Sequence, residues 1–164
     1  MIVAYQQAIN RGGTLPAAID TDITQRLRAV LGRLARVLRP TEAGLAAGLT
    51  PTRAAVLLSA VRHGPVRLAV IAEHEGLNPT MLSRTVGKLV ADGLLVRSAD
   101  SDDRRSAWIG PTARGAALAE QIRTQRTNAV ERALERLAPD DRWTLEAAVP
   151  ALERLAQRLT EAQR

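Results

Sequence analysis

The stretch that most constrains this chain of 164 residues runs from Leu77 to Arg105. Its first half is a helix with start and stop signals written into the sequence. Asn78 is a good N-cap, and Pro79 fits the first helical position, where its missing N–H costs nothing. Gly93 ends the helix by supplying the left-handed conformation that helix C-termini often use. Between these signals Leu82, Val86, Leu89 and Val90 fall at i, i+4, i+7 and i+8, which is one face. The other face carries Thr80, Ser83, Arg84 and Lys88, hydroxyls and cations without an acid among them, and suits a phosphate-lined groove.

The segments around that helix extend the pattern. Leu94–Arg97 is a short strand, Asp100–Arg105 is a charged, turn-rich tip, and Ser106–Ile109 is a second short strand stopped by Gly110-Pro111. Upstream, a short helix from Val66 to Glu75 and a tight turn at Gly76 precede the capped helix. A short helix, a glycine turn, a basic helix and a hairpin with cations at its tip make a winged helix-turn-helix. In that arrangement the basic helix lies in a major groove and the tip reaches an adjacent minor groove. Thr50 and Pro51 open one further helix, to about Val61, which is apolar on much of its circumference and belongs to the core.

The remaining helices lie at the two ends. From Ala17 to Leu38 apolar residues including Ile23 and Leu27 recur at spacings of three and four, and Pro40 ends the run. Thr112 caps a long helix reaching about Leu137, and Pro139-Asp140-Asp141 starts the last one. That last helix carries Trp143, Val149, Leu152, Leu155 and Leu159 on an apolar stripe. These terminal stripes are too long for the small central module to cover, so a homodimer is expected to bury them. The expected fold is mainly α with a small β-hairpin wing: one domain over 1–164, a DNA-binding lobe at 50–111, and dimerisation helices at 14–45 and 112–162. Residues 1–13 have weak pattern and are given no role.

Composition removes several classes. The formal net charge of +6 favours a polyanionic partner. Nearly all the cations are Arg, Lys88 being the only Lys, and guanidinium pairs bidentately with phosphate and guanine. There is no Cys, which excludes disulfides, thiol redox sensing and Cys metal sites. His63 and His74, the only histidines, lack metal-ligand spacing, and Glu73-His74-Glu75 reads as a surface helix end. No phosphate loop, dinucleotide fingerprint or nucleophile elbow is present, so neither enzymatic activity nor a cofactor or metal is expected. The opening Met1–Tyr5 is not followed by a long apolar run; no signal, no membrane span and a cytoplasmic location are expected.

The stretch resembles the MarR family of bacterial transcriptional regulators. The resemblance is carried by Ser83-Arg84, by the exit Ala91-Asp92-Gly93-Leu94-Leu95-Val96-Arg97, by Asp102-Asp103-Arg104-Arg105 at the tip, and by Thr112-Ala113-Arg114-Gly115. It spans roughly residues 23–159; Gly87 and Pro111 depart from the usual pattern. It implies a two-fold dimer built from the terminal helices, and a repressor bound to double-stranded DNA and released by a small aromatic or anionic effector. On this reading Arg84 reads a base while Thr80 and Lys88 fix phosphates. Arg105 matches the family's wing arginine, which enters the minor groove, Asp103 matches the acid that orients it, and Arg104 contacts backbone; Arg97 and Ser83 complete the DNA-facing set. Two other readings stay open: a winged helix used as a protein-interaction module, and a DNA-binding regulator with no ligand.

Overall fold

The computed structural model describes residues 21–99 and 107–162, and the chain divides into two compact units, Met1–Arg39 and Pro40–Arg164. In the first unit, helix α1 (Thr21–Leu38) exposes every residue except the half-buried Leu38. Its apolar residues Ile23, Leu27, Val30, Leu31, Leu34 and Val37 are all solvent-accessible.

The second unit holds the winged helix. Its elements are α2 (Glu42–Ala46), α3 (Pro51–His63), β1 (Val66–Arg67), α4 (Leu68–Glu75), α5 (Pro79–Ala91), β2 (Leu95–Ala99), β3 (Ala107–Pro111), α6 (Ala113–Glu135) and α7 (Pro139–Glu161). The strands form an antiparallel sheet in the order β1-β3-β2. One core joins the layers: Val56, Leu57 and Ala60 of α3, Ile71 of α4, Leu82, Val86 and Leu89 of α5, Leu94, Leu95 and Ile109 of the wing, and Ala119 and Ile122 of α6. Burial of these aliphatic side chains, at about 1.5–3 kcal/mol each, is the main force holding the helix-turn-helix to the wing and to α6.

The structure departs from the sequence expectations in three places. Val66 and Arg67 are not helical; they form β1 and pair with Ile109 and Trp108 on the free edge of β3. The short helix therefore begins at Leu68. A β-branched residue beside an unpaired strand edge satisfies more backbone groups in the sheet than as a frayed helix start. Gly110 and Pro111 do not stop the second wing strand; they extend it opposite Val96 and Leu95. Proline is tolerated there because β1 pairs only as far as Ile109, so at Pro111 β3 has a neighbour on one side only and is locally an edge. The third departure is α2, a short helix that the sequence pattern does not assign. Thr41 caps it by accepting a hydrogen bond from the Gly44 N–H (3.2 Å), and the Gln125 side-chain oxygen of α6 accepts one from the Ala43 N–H (3.0 Å).

Thr112 fastens α6 to the end of α5. Its Oγ1 accepts from the Gly115 N–H (3.0 Å) and donates to the Gly93 carbonyl (2.8 Å). One hydroxyl thus caps one helix and serves the carbonyl that closes another. Thr112→Ala should cost about 1 kcal/mol, the usual worth of an N-cap. A thermal melt followed by circular dichroism should fall by roughly 2–4 °C. Thr112→Ser should restore the midpoint; an unchanged midpoint in the alanine variant would remove the hydroxyl from the account.

In α7 every residue is exposed apart from the half-buried Ala148 and Leu155. The helix runs through Pro150, whose missing N–H leaves the Glu146 carbonyl without its usual helical partner. No helix among the described residues is long and apolar enough to cross a membrane.

Candidate nucleic-acid interface

The rotation of α5 about its axis is fixed by what it buries. Leu82, Thr85, Val86 and Leu89 face the core, and the Thr85 hydroxyl is satisfied by the Met81 carbonyl at 2.8 Å. That leaves Thr80, Ser83, Arg84, Gly87 and Lys88 at i, i+3, i+4, i+7 and i+8 on the exposed side. The sequence-predicted residues of this helix therefore share one face. Gly87, a departure from the family pattern, lies on that face, where an added Cβ would meet nothing within 4 Å.

Both ends of α5 are pinned. At the start, the Asn78 side-chain oxygen accepts from the Met81 N–H at 2.8 Å. At the end, Gly93 takes a left-handed conformation (φ 67°), and the Leu94 N–H returns to the Leu89 carbonyl at 2.9 Å. Arg114 donates to the Asp92 carbonyl at 3.0 Å, so a cation on α6 meets the negative end of the α5 dipole.

Between the N-terminal ends of α3 and α5 lies an open groove of about 660 Å³. Thr50, Thr52 and Arg53 border it on one side; Asn78, Thr80, Met81, Arg84 and Lys88 border it on the other. Two helix N-termini thus open toward the same space, and each is a ready site for anions. Among the described residues no acid lines it. Arg53 is held at the rim, donating to the Gly48 carbonyl at 3.5 Å and lying 3.9 Å from the Asp92 carboxylate.

Thr52 and Arg53 were missed in the sequence. A signal was present: a cation in the first turn of a helix opposes the macrodipole, so its presence invites another explanation. The wing supplies Arg97, exposed on β2 in register with Ile109 of β3. On the neighbouring register the Arg67 guanidinium lies 5.4 Å from the centre of the Trp108 ring. Asp103, Arg104 and Arg105 lie outside the described residues. The residues expected at a dimer interface fall on two helices, Ile23 and Leu27 on α1, and Trp143, Val149, Leu152, Leu155 and Leu159 on α7. All are exposed except Leu155, which is half-buried; Trp143 is 67 % accessible.

A helix-turn-helix whose second helix shows a basic, acid-free face, backed by a three-stranded wing, defines a winged-helix DNA-binding protein. Comparison with known proteins makes the class specific. Residues 49–107 match the family model for MarR. The HTH-type transcriptional regulator YwhA of Bacillus subtilis (strain 168) is 28% identical over 100 residues, 61% of this chain and 72% of that protein. The crystal structure of RV1404 from Mycobacterium tuberculosis is similar at a TM-score of 0.74 and 25% identity, covering 86% of this chain and 97% of that one. CouR from Rhodococcus jostii RHA1, whose crystal structure holds p-coumaroyl-CoA, is similar at a TM-score of 0.67 and 25% identity over 88% of this chain and 95% of its own. Residues 49–107 thus carry a MarR-family domain, and the chain as a whole is similar to HTH-type transcriptional regulators.

Proposed function

We propose that this protein is a homodimeric, sequence-specific repressor that works in the cytoplasm and releases its operator when a small aromatic or anionic ligand binds. The observation that carries the DNA-binding part is the exposed face of α5 with Thr80, Ser83, Arg84 and Lys88, of which Thr80, Arg84 and Lys88 line a groove shared with the N-terminus of α3. Residues 50–111 would form the lobe on the DNA, with segments 14–45 and 112–162 serving the dimer. Arg84 reads a guanine edge; Thr80, Lys88 and the newly found Arg53 hold phosphates. In the wing, Arg105 enters the minor groove with Asp103 orienting it, while Arg104 and Arg97 meet backbone. The complex of CouR with p-coumaroyl-CoA supports the ligand-relieved part of the reading.

The test is a selection of genomic fragments bound by the purified chain, followed by fluorescence anisotropy on the recovered operator across a salt series. Phosphate neutralisation predicts an affinity that falls linearly in log–log form as salt rises. Weak binding without sequence preference or salt slope would remove the regulator reading and favour a protein-interaction module.

The dimer has its own test. The apolar stripe of α7, from Trp143 to Leu159, and that of α1, from Ile23 to Val37, each remain exposed to a degree that lone soluble proteins rarely tolerate. A second copy would cover them. Light scattering should give twice the chain mass of 17.7 kDa. Leu152→Arg would place an unpaired charge in that interface and should shift the population to monomer and weaken operator binding. A wild-type protein that scatters as a monomer at micromolar concentration ends this part of the proposal.

A further inference from the structure

One apolar side chain stands in the groove between α3 and α5, and the base and phosphate contacts assigned above leave it without a part. Among the described residues lining that groove, Met81 is the only hydrophobic one. It is 49 % accessible and the only large hydrophobic residue that α5 exposes. It belongs neither to the core nor to the half-buried side chains packed against it, so packing does not explain a methionine there. We propose that Met81 reads DNA sequence by seating its thioether against the 5-methyl group of a thymine in the major groove.

Position is the first reason. Met81 is the third residue of α5, and the N-terminal residues of a recognition helix are the ones that reach base edges. Arg84 follows at i+3, so both side chains project over the same stretch of groove. The buried Leu82, Thr85, Val86 and Leu89 keep α5 from rolling Met81 toward the core.

The second reason is how firmly its backbone is held. The Met81 N–H donates to Asn78 Oδ1 at 2.8 Å, and its carbonyl accepts from Thr85 Oγ1 at 2.8 Å. Two side chains, one before it in sequence and one after, thus fix the point from which the thioether projects. A base contact gains from that fixed origin, because ordering it at the moment of binding would cost affinity.

Chemistry identifies the partner. The groove presents Arg53, Arg84 and Lys88 and, among the described residues, no acid, so it faces a polyanion. Every base edge in a major groove presents hydrogen-bonding groups, and thymine alone adds a methyl. An apolar side chain set against any other edge would strip water from a donor or acceptor without replacing the lost hydrogen bond. Methionine's unbranched, polarisable chain adapts well to a small apolar target. On this assignment Arg84 selects guanine and Met81 selects thymine. This role for Met81 rests on the DNA-binding function proposed above.

Fluorescence anisotropy on the full chain tests it, using the selected operator and duplexes in which each thymine of one half-site is replaced in turn by deoxyuridine. Deoxyuridine pairs as thymine does and lacks only the methyl. The wild type should lose about fourfold at one position, the worth of burying one methyl-sized group, and little elsewhere. Met81→Ala should bind the unmodified operator at least that much more weakly, and should no longer distinguish thymine from deoxyuridine at that position. Met81→Gln, which keeps the side-chain length and a similar helix propensity, should lose the distinction as well, so the outcome does not hang on one variant. Uniform tolerance of deoxyuridine by the wild type, or wild-type discrimination in either variant, would overturn the role of Met81 and leave the regulator intact. A chain that selects no operator at all removes both.

Discussion

Gly115→Val is expected to be the most damaging single substitution in the described structure. A Cβ at Gly115 would sit on the carbonyl oxygen of Leu94, with the Leu94 carbonyl carbon 2.9 Å away. The obstacle is backbone, so no rotamer change relieves it. Nor can that backbone retreat easily. Leu94 follows the left-handed Gly93, its N–H is bonded to Leu89, and its carbonyl accepts from the Thr112 N–H at 3.1 Å. Either α6 lifts from the wing or the end of α5 comes undone. Overpacking of this kind costs about 3 kcal/mol or more, the upper part of its usual range. For a protein of this size that is roughly 6–12 °C in melting temperature. Two other glycines give the scale. Gly93→Ala meets little that is solid but is strained by its positive φ, and should cost about 1–2 kcal/mol. Gly87→Ala, on an open helical face, should stabilise by about 1 kcal/mol. Thermal melts of the three variants should rank in that order; a Gly115→Val midpoint equal to that of Gly93→Ala would show that the contact with Leu94 is relieved cheaply.

This junction also shows where sequence reasoning reaches. The caps at Asn78, Thr50 and Thr112 and the stop at Gly93 were legible because each is a local signal: a side chain acts on backbone groups within a few residues. The face of α5 was legible because periodicity and burial agree. The close approach of Gly115 to Leu94 was not, since it is a contact between segments 21 residues apart. The same holds for β1. Val66 and Arg67 are strand only because β3 has a free edge beside them, and nothing local announces that edge. α2 has a local signal in Thr41, but five residues make too short a pattern to register as periodic. His63 and His74 read in isolation as surface residues, and both are exposed; what the sequence hid is that folding stacks them over one cavity. Arg53 entered the groove in the same way, through the placement of α3 beside α5.

The largest expected effect on DNA binding comes from Arg84, and its pattern matters as much as its size. Leu82, Val86 and Leu89 lock the roll of α5, so Arg84 and Lys88 project from the same face one turn apart. Their chemistry differs. A guanidinium presents a planar fork that matches the two acceptors of guanine, whereas an ammonium is a point charge suited to phosphate. Arg84→Ala should therefore cost about 1–3 kcal/mol on the cognate operator and much less on an operator already changed at the contacted base pair. Arg84→Lys should recover little, because charge is kept and the fork is lost. Lys88→Ala should weaken every operator variant by a similar factor and flatten the salt dependence by about one unit of slope. Anisotropy titrations of the three proteins on a panel of single-base operator variants, at two salt concentrations, separate these patterns. If Arg84→Ala and Lys88→Ala lose affinity in parallel across the whole panel, Arg84 is a second phosphate clamp, and base readout must be sought from Ser83, Thr80 and the wing.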